Sequence, residues 1–194
     1  LPNPAKYAVF EDHLLYATGV PRFGRFTGKI QTLRDMQNVF QQHTGVRDYS
    51  AEDGISPGIC HQVAREEFID VGDFIQATDS HTCMGGATNA LAYGVGSTEY
   101  ANLVHNQFAF VQVPESIRFE LVGSLDPGCT AKDVILHVIR LLGVNGGTGY
   151  AYEYGGSVFD EFSMEERMTA CNMSIEGGAR VGYVNPDETT FAYL

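Results

Sequence analysis

The sequence is short of positive charge: 12 lysines and arginines stand against 24 aspartates and glutamates in 194 residues, a formal charge of −12. Its basic residues gather nowhere, so nothing neutralises a row of phosphates, and nucleic acid or an anionic membrane surface is not an expected partner. Long apolar runs are missing as well. None approaches the roughly 20 residues of a membrane span, and Leu1 to Tyr7 lacks the charged-then-apolar layout of a secretory signal. The chain therefore reads as soluble and cytoplasmic, or mitochondrial-matrix in a eukaryote. Cysteine is sparse and scattered. Cys60, Cys83, Cys129 and Cys171 form no Cys-x-x-Cys pair, which fits neither a disulfide framework nor a metal knuckle, and free thiols in a reducing compartment are expected. Internal repeats and low-complexity segments are also missing.

What is present is a composition able to bury a core, 44% hydrophobic and 19% charged, which excludes a disordered acidic tail. Glycine is abundant at 22 residues, against a usual share of about 7%. It comes in bursts, Gly85-Gly86, Gly94 with Gly96, Gly146-Gly147 with Gly149, Gly155-Gly156 and Gly177-Gly178, which mark tight turns and close backbone approach. Tyr7 to Phe10 and Asp73 to Thr78 are β-rich, and each leads into an acid near a histidine. Leu33, Met36, Val39 and Phe40 recur at helical spacing with Gly45 as a stop. Ala87 to Tyr93 and Thr98 to Asn106 read as helices, the latter capped by Ser97, with Glu99 suiting the helix dipole. Phe108 to Val113 alternates like a strand that stops at Pro114.

Beyond Pro114 a strand is expected over Arg118 to Gly123. The cap Thr130-Ala-Lys-Asp133 then opens a helix with the stripe Val134, Ile135, Val138, Ile139 and Leu142, ended by Gly143. Ser163-Met-Glu-Glu166 is a capping box for a helix running from Met164 towards Gly177. Strands alternating with helices predict a layered α/β/α fold with mainly parallel strands. Pro114 is the expected boundary between two α/β subdomains, residues 1–114 and 115–194.

Three histidines lie in polar, turn-forming sequence: His13 beside Asp12, His61 in Gly58-Ile-Cys-His-Gln62, and His81 in Thr78-Asp-Ser-His-Thr82. A carboxylate that accepts a hydrogen bond from one imidazole nitrogen fixes the tautomer and raises the basicity of the other, enabling proton transfer or polarisation of a metal-bound water. Satisfied polar residues at strand ends would look the same. The flanking threonines tip Asp79-Ser80-His81 towards function, whereas His43, His105 and His137 read as ordinary helix residues. A Ser-His-Asp hydrolase at Ser80 is disfavoured, because neighbours in an extended strand point to opposite faces and no Gly-x-Ser-x-Gly elbow is present. Gly94-Val-Gly96 is half a dinucleotide fingerprint, with Glu99 where the third glycine belongs. A mononuclear metal site from His13, His61, His81 and Asp79 is chemically sensible but not fixed by spacing.

Taken together, the motifs resemble the aconitase superfamily, on its isopropylmalate dehydratase and homoaconitase branch. The resemblance is carried by Asp12-His13-Leu14, Gly58-Ile-Cys-His-Gln-Val63, Thr78-Asp-Ser-His-Thr82, Gly94-Val-Gly96 and Ala131-Lys-Asp-Val-Ile135. Gly146-Gly-Thr-Gly149, Cys171-Asn-Met173, Glu176-Gly-Gly-Ala179 and Pro186-Asp-Glu-Thr-Thr-Phe191 follow in the family's order. Asp12-His13-Leu14 and Gly146-Gly-Thr-Gly149 are similar to aconitase itself, and the Pro186 to Phe191 motif to the isopropylmalate and homoaconitate branch.

The resemblance implies part of a hydro-lyase that removes and re-adds water on a hydroxy di- or tricarboxylic acid with a [4Fe-4S] cluster. Isopropylmalate is the expected substrate, with citrate and homocitrate as alternatives and a non-catalytic aconitase-like binding module as the reading from another class. It implies catalytic roles for Asp12, His13, His61, Asp79, His81 and Glu176, with Asp12 paired to His13, Asp79 to His61 and Glu176 to His81. Ser80 would contact substrate and Asn172 would lie near the cluster. The family's cluster cysteines lie beyond the region resembling residues 186–191, so none of the four thiols here is expected to be a ligand. The substrate-binding arginines and the small swivelling subunit or domain with its serine base are likewise outside this sequence. The chain is therefore expected to be an internal piece of a larger catalytic unit, inactive by itself.

Overall fold

Gly45 and Gly143 close two helices that the apolar spacing outlines, and the strands around them pair only in parallel. The computed structural model describes residues 1–13, 20–53 and 55–194; Leu14 of the first motif lies outside them. The chain divides into two compact units, Leu1–Glu66 and Glu67–Leu194.

In the first unit, β1 (Ala8–Phe10) is joined through helix α1 (Thr27–Thr44) to β2 (Arg47–Tyr49), and the two strands run parallel with Ala8 opposite Arg47. The Phe10 and Tyr49 rings stack across the ladder at 4.9 Å. Gly45 ends α1 in the left-handed conformation at φ 69°, donating its N–H to the Gln41 carbonyl, as a residue without Cβ does at least cost. Of the apolar positions on α1 only Ile30 is buried; Leu33, Met36, Val39 and Phe40 are exposed. Glu11, buried just past β1, accepts hydrogen bonds from the Arg34 guanidinium at 3.1 Å and the Ala51 N–H at 3.3 Å, tying strand, helix and loop together. Helix α2 (Cys60–Glu67) follows.

The second unit opens with β3 (Phe74–Ala77), a 3-10 segment over Ser80–Thr88, and β4 (Leu91–Gly94), which lies parallel to β3 with Ala77 opposite Gly94. Helix α3 (Ser97–Asn106) leads to β5 (Glu115–Glu120), and α4 (Ala131–Leu142) to β6 (Tyr150–Gly155). Two helices, α5 (Ser157–Glu161) and α6 (Met164–Asn172), and the 3-10 turn Met173–Gly177 precede β7 (Val181–Val184) and α7 (Glu188–Tyr193). The sheet order is β5-β6-β7, with Glu115 opposite Tyr150 and Ala151 opposite Val181. Helices between parallel strands are the layered arrangement the alternation predicts.

Its core gathers Ile135 and Val138 of α4, Tyr152 and Tyr154 of β6, Phe159 and Phe162 around α5, and Met164 and Met168 of α6. Each large side chain buried this way contributes about 1.5–3 kcal/mol. The two buried tyrosines stay satisfied: Tyr152 donates to the Gly177 carbonyl at 2.8 Å and Tyr154 bonds Ser174 Oγ at 2.9 Å. Arg167 of α6, fully buried, grips Asp187 with both terminal nitrogens at 2.7 Å and also donates to the Phe162 carbonyl. The guanidinium pulls the Asp187 carboxyl down to about 2.

Three local expectations need correction. Ala87 to Tyr93 is the end of a 3-10 segment and the start of β4, broken at Asn89, which takes φ 61°; a short apolar run does not by its spacing distinguish strand from helix. Phe108 to Val113 pairs with no strand among the described residues, and Phe110 is 93% exposed. The strand expected from Arg118 starts at Glu115, directly after Pro114, and stops at Glu120. Pro114 falls between the two sheets of the second unit. Those sheets belong to one unit because Gly86 of the 3-10 segment lies so close to Gly182 of β7 that a Cβ would overlap its carbonyl, and because Tyr93 and Val95 pack with Ala151 and Val181.

Candidate functional site

In the first unit, Asp12 sits just past β1 with its side chain 5% exposed, and its Oδ2 lies 2.9 Å from His13 Nδ1. The same oxygen accepts the backbone N–H of Cys60 at 3.0 Å. Cys60 is the first residue of α2, so the carboxylate also meets the positive end of that helix. The carboxylate at Nδ1 orients the His13 ring. The His61 ring lies edge-on to it at 6.2 Å between centroids. Asp12, His13 and Cys60 each bring a ligand atom within 4.8 Å of the others, a carboxylate, imidazole and thiol set of the kind that suits a borderline-soft divalent cation.

In the second unit, Asp79 ends the extended backbone after β3 and caps the 3-10 segment, its Oδ1 accepting the His81 N–H at 2.8 Å. The Thr82 hydroxyl donates back to the Asp79 carbonyl at 2.7 Å. Gly94 at the end of β4 lies directly against this turn: a Cβ there would overlap the Asp79 carbonyl and the Ser80 Cα, so only glycine lets β4 support the turn from behind. His81 Nε2 is 2.8 Å from Glu176 Oε1 in the turn after α6, and His81 Nδ1 is 3.4 Å from Ser80 Oγ. The expectation that Ser80 and His81 face apart is thus corrected, because these residues lie in a 3-10 turn and not in a strand. No nucleophile elbow accompanies them.

Asn172 closes α6, its carbonyl accepting the Cys83 thiol at 3.3 Å. Burial pushes Cys83 up to about 12 and raises Cys171 well above the usual thiol range, so neither is a ready thiolate. Cys129 is exposed and Cys60 half-buried. Among the described residues of the second unit, Cys83, Cys129 and Cys171 do not gather as a metal-ligand group. His43, His105 and His137 are exposed on α1, α3 and α4.

The structure therefore brings Asp12 together with His13, and Asp79, Ser80 and His81 together with Glu176. His61 and Asp79 belong to different units. The sequence reading missed Arg180, which donates to the Gly94 carbonyl at 3.0 Å and stacks over the Tyr93 ring at 4.9 Å. A single arginine after Gly-Gly-Ala has no spacing to flag it.

Comparison with known proteins supplies a family context for this geometry. The Aconitase family (aconitate hydratase) matches residues 21–194. The 3-isopropylmalate dehydratase large subunit of Opitutus terrae is 58% identical over 138 residues, 71% of this chain and 29% of that protein. The protein of the same name from a Synechococcus species is 48% identical over 165 residues, covering 84% and 35%. That from Sorangium cellulosum is 52% identical over 151 residues, covering 77% and 32%. The chain spans about a third of the length of these relatives.

Proposed function

Because the chain belongs to the aconitase family, we propose that it forms part of the active-site wall of a hydro-lyase that dehydrates and rehydrates a hydroxy di- or tricarboxylic acid. The substrate proposed is 3-isopropylmalate, and the setting cytoplasmic leucine biosynthesis. The observation that carries this reading is the His81–Glu176 pair, seated on the Asp79–Ser80 turn, at the positions where the family motifs match.

The proposed chemistry rests on proton handling by imidazoles that carboxylates orient. Glu176 lies at Nε2 of His81, and Nδ1 faces both Ser80 Oγ at 3.4 Å and Asp79 Oδ1 at 3.5 Å; from there His81 is proposed to deliver the proton with which the substrate hydroxyl departs as water, and to take it back from water in the hydration direction. Asp12, at Nδ1, orients the His13 ring, which is 57% exposed and is proposed to exchange a proton with substrate. His61, oriented by Asp79, is proposed as a third proton-handling group, and Ser80 as a substrate contact. A [4Fe-4S] cluster in the whole protein would draw its cysteine ligands from outside this chain, with Asn172 lining its neighbourhood. A small subunit or swivelling domain would complete the site.

The test is His81→Gln in the intact protein carrying this segment, assembled with its small subunit. General acid–base groups supply about 100- to 10,000-fold in rate, so kcat should fall by that factor while the protein stays folded. Formation of the unsaturated acid, followed in the ultraviolet, provides the measurement. A kcat within about threefold of the parent would remove His81 from the chemistry.

A further inference from the structure

Next to the His81–Glu176 pair the second unit holds a cleft of about 220 Å³ lined by Thr78, Ser80, Gly94, Val95, Ile175 and Arg180. Two of its walls are the chain neighbours of the pair itself: Ser80 precedes His81 and Ile175 precedes Glu176. We infer that this cleft is a substrate subsite in which Arg180 binds one carboxylate of the hydroxy acid while Val95 and Ile175 receive its aliphatic branch. The inference rests on the hydro-lyase reading and names the substrate class at that site.

The chemistry of the lining favours this occupant. Arg180 is an exposed cation in a chain with twice as many acids as bases. One of its nitrogens is bound to the Gly94 carbonyl and its face rests on Tyr93, whose hydroxyl is held in turn by Gln76 at 2.7 Å. A guanidinium fixed on one edge and one face is preorganised and still has N–H groups to offer, and its fork matches a carboxylate. Ser80 and Thr78 supply hydroxyls for the substrate's polar end. Val95 is buried and Ile175 half-buried, an apolar surface that an unbranched hydroxy acid would leave without contact. The sequence leaves the cationic partners of a polycarboxylate to parts outside these 194 residues; Arg180 supplies one from within.

The experiment compares malate with its two monoamides, in which one carboxylate or the other becomes a neutral isostere, by calorimetric titration of the intact protein carrying this segment. Loss of one charge-assisted pair weakens binding by about 10- to 100-fold, so the parent should discriminate against each monoamide that removes a gripped carboxylate. In Arg180→Gln, the penalty for one of the two monoamides should vanish while the other remains. Each ratio is taken within one preparation and is independent of the fraction folded. Unchanged penalties for both monoamides would overturn the carboxylate assignment. Ile175→Ala should reduce the preference for isopropylmalate over malate by about tenfold, and an unchanged preference would overturn the aliphatic assignment. Turnover on the same preparations separates the two readings. An active enzyme indifferent to Arg180→Gln sinks this inference alone, whereas Arg180-dependent dicarboxylate binding by an enzyme that hydrates nothing sinks the hydro-lyase and keeps the subsite.

Discussion

In the first unit a buried carboxylate, Asp12, holds an exposed imidazole; in the second, both carboxylates around His81 are open to water, and the backbone beneath them is buried. The packing around the two sites differs in the same sense. Among the described residues, buried apolar side chains of the first unit are confined to Ile30, Val46 and Val63, whereas the second unit packs sixteen buried residues into one cluster. An imidazole can therefore be oriented by desolvating its partner or by stiffening the chain that carries it. The first route ties stability to the orienting carboxylate itself, and the second separates them.

The largest effect that would test this contrast is expected far from either imidazole. Asp187→Asn leaves the buried Arg167 guanidinium without its counter-charge and should destabilise the second unit by about 3 kcal/mol, at the low end of what broken buried pairs cost because Asp187 is partly exposed. Urea unfolding measures it. The same pair sets an acid limit. Asp187 falls from an ordinary 3.8 to about 2 in the folded state, so its contribution is fully present above about pH 4 and is lost as pH drops through 2. The urea midpoint of the parent should decline across that window more steeply than that of the Asn variant.

Next in size is Asp12→Ala, which removes the carboxylate that accepts the Cys60 N–H at the start of α2 and should cost about 1–2 kcal/mol. Ring-nitrogen NMR of His13 should at the same time show mixed tautomers. Smallest is Glu176→Gln, expected to change stability by less than about 1 kcal/mol while changing the tautomer populations of His81 seen by ring-nitrogen NMR. If Glu176→Gln destabilised as much as Asp12→Ala, the separation of stability from imidazole orientation in the second unit would be disproved.

The elements legible in the sequence are those with local chemistry. Thr130 with Asp133 and Ser163 with Glu166 cap α4 and α6, their carboxylates accepting the backbone N–H three residues earlier at 2.8 and 2.9 Å. Gly45 stops α1 for an equally local reason. β4 was not legible, since Leu91 to Gly94 is identified as a strand only by pairing with β3. Nor does alternation over Phe108 to Val113 make a strand without a partner. Resemblance, and not spacing, paired His81 with Glu176. Arg180 became visible only when folding set it beside Gly94 and Tyr93.

His81 and Glu176 are separated by 95 positions. During synthesis at about 5–20 residues per second, the imidazole therefore waits on the order of 5–20 s before its carboxylate has been made. The turn around Asp79 is held by local hydrogen bonds, whereas the pair needs a residue made after β6. A nascent chain stalled before Glu176 would therefore carry the histidine without this carboxylate.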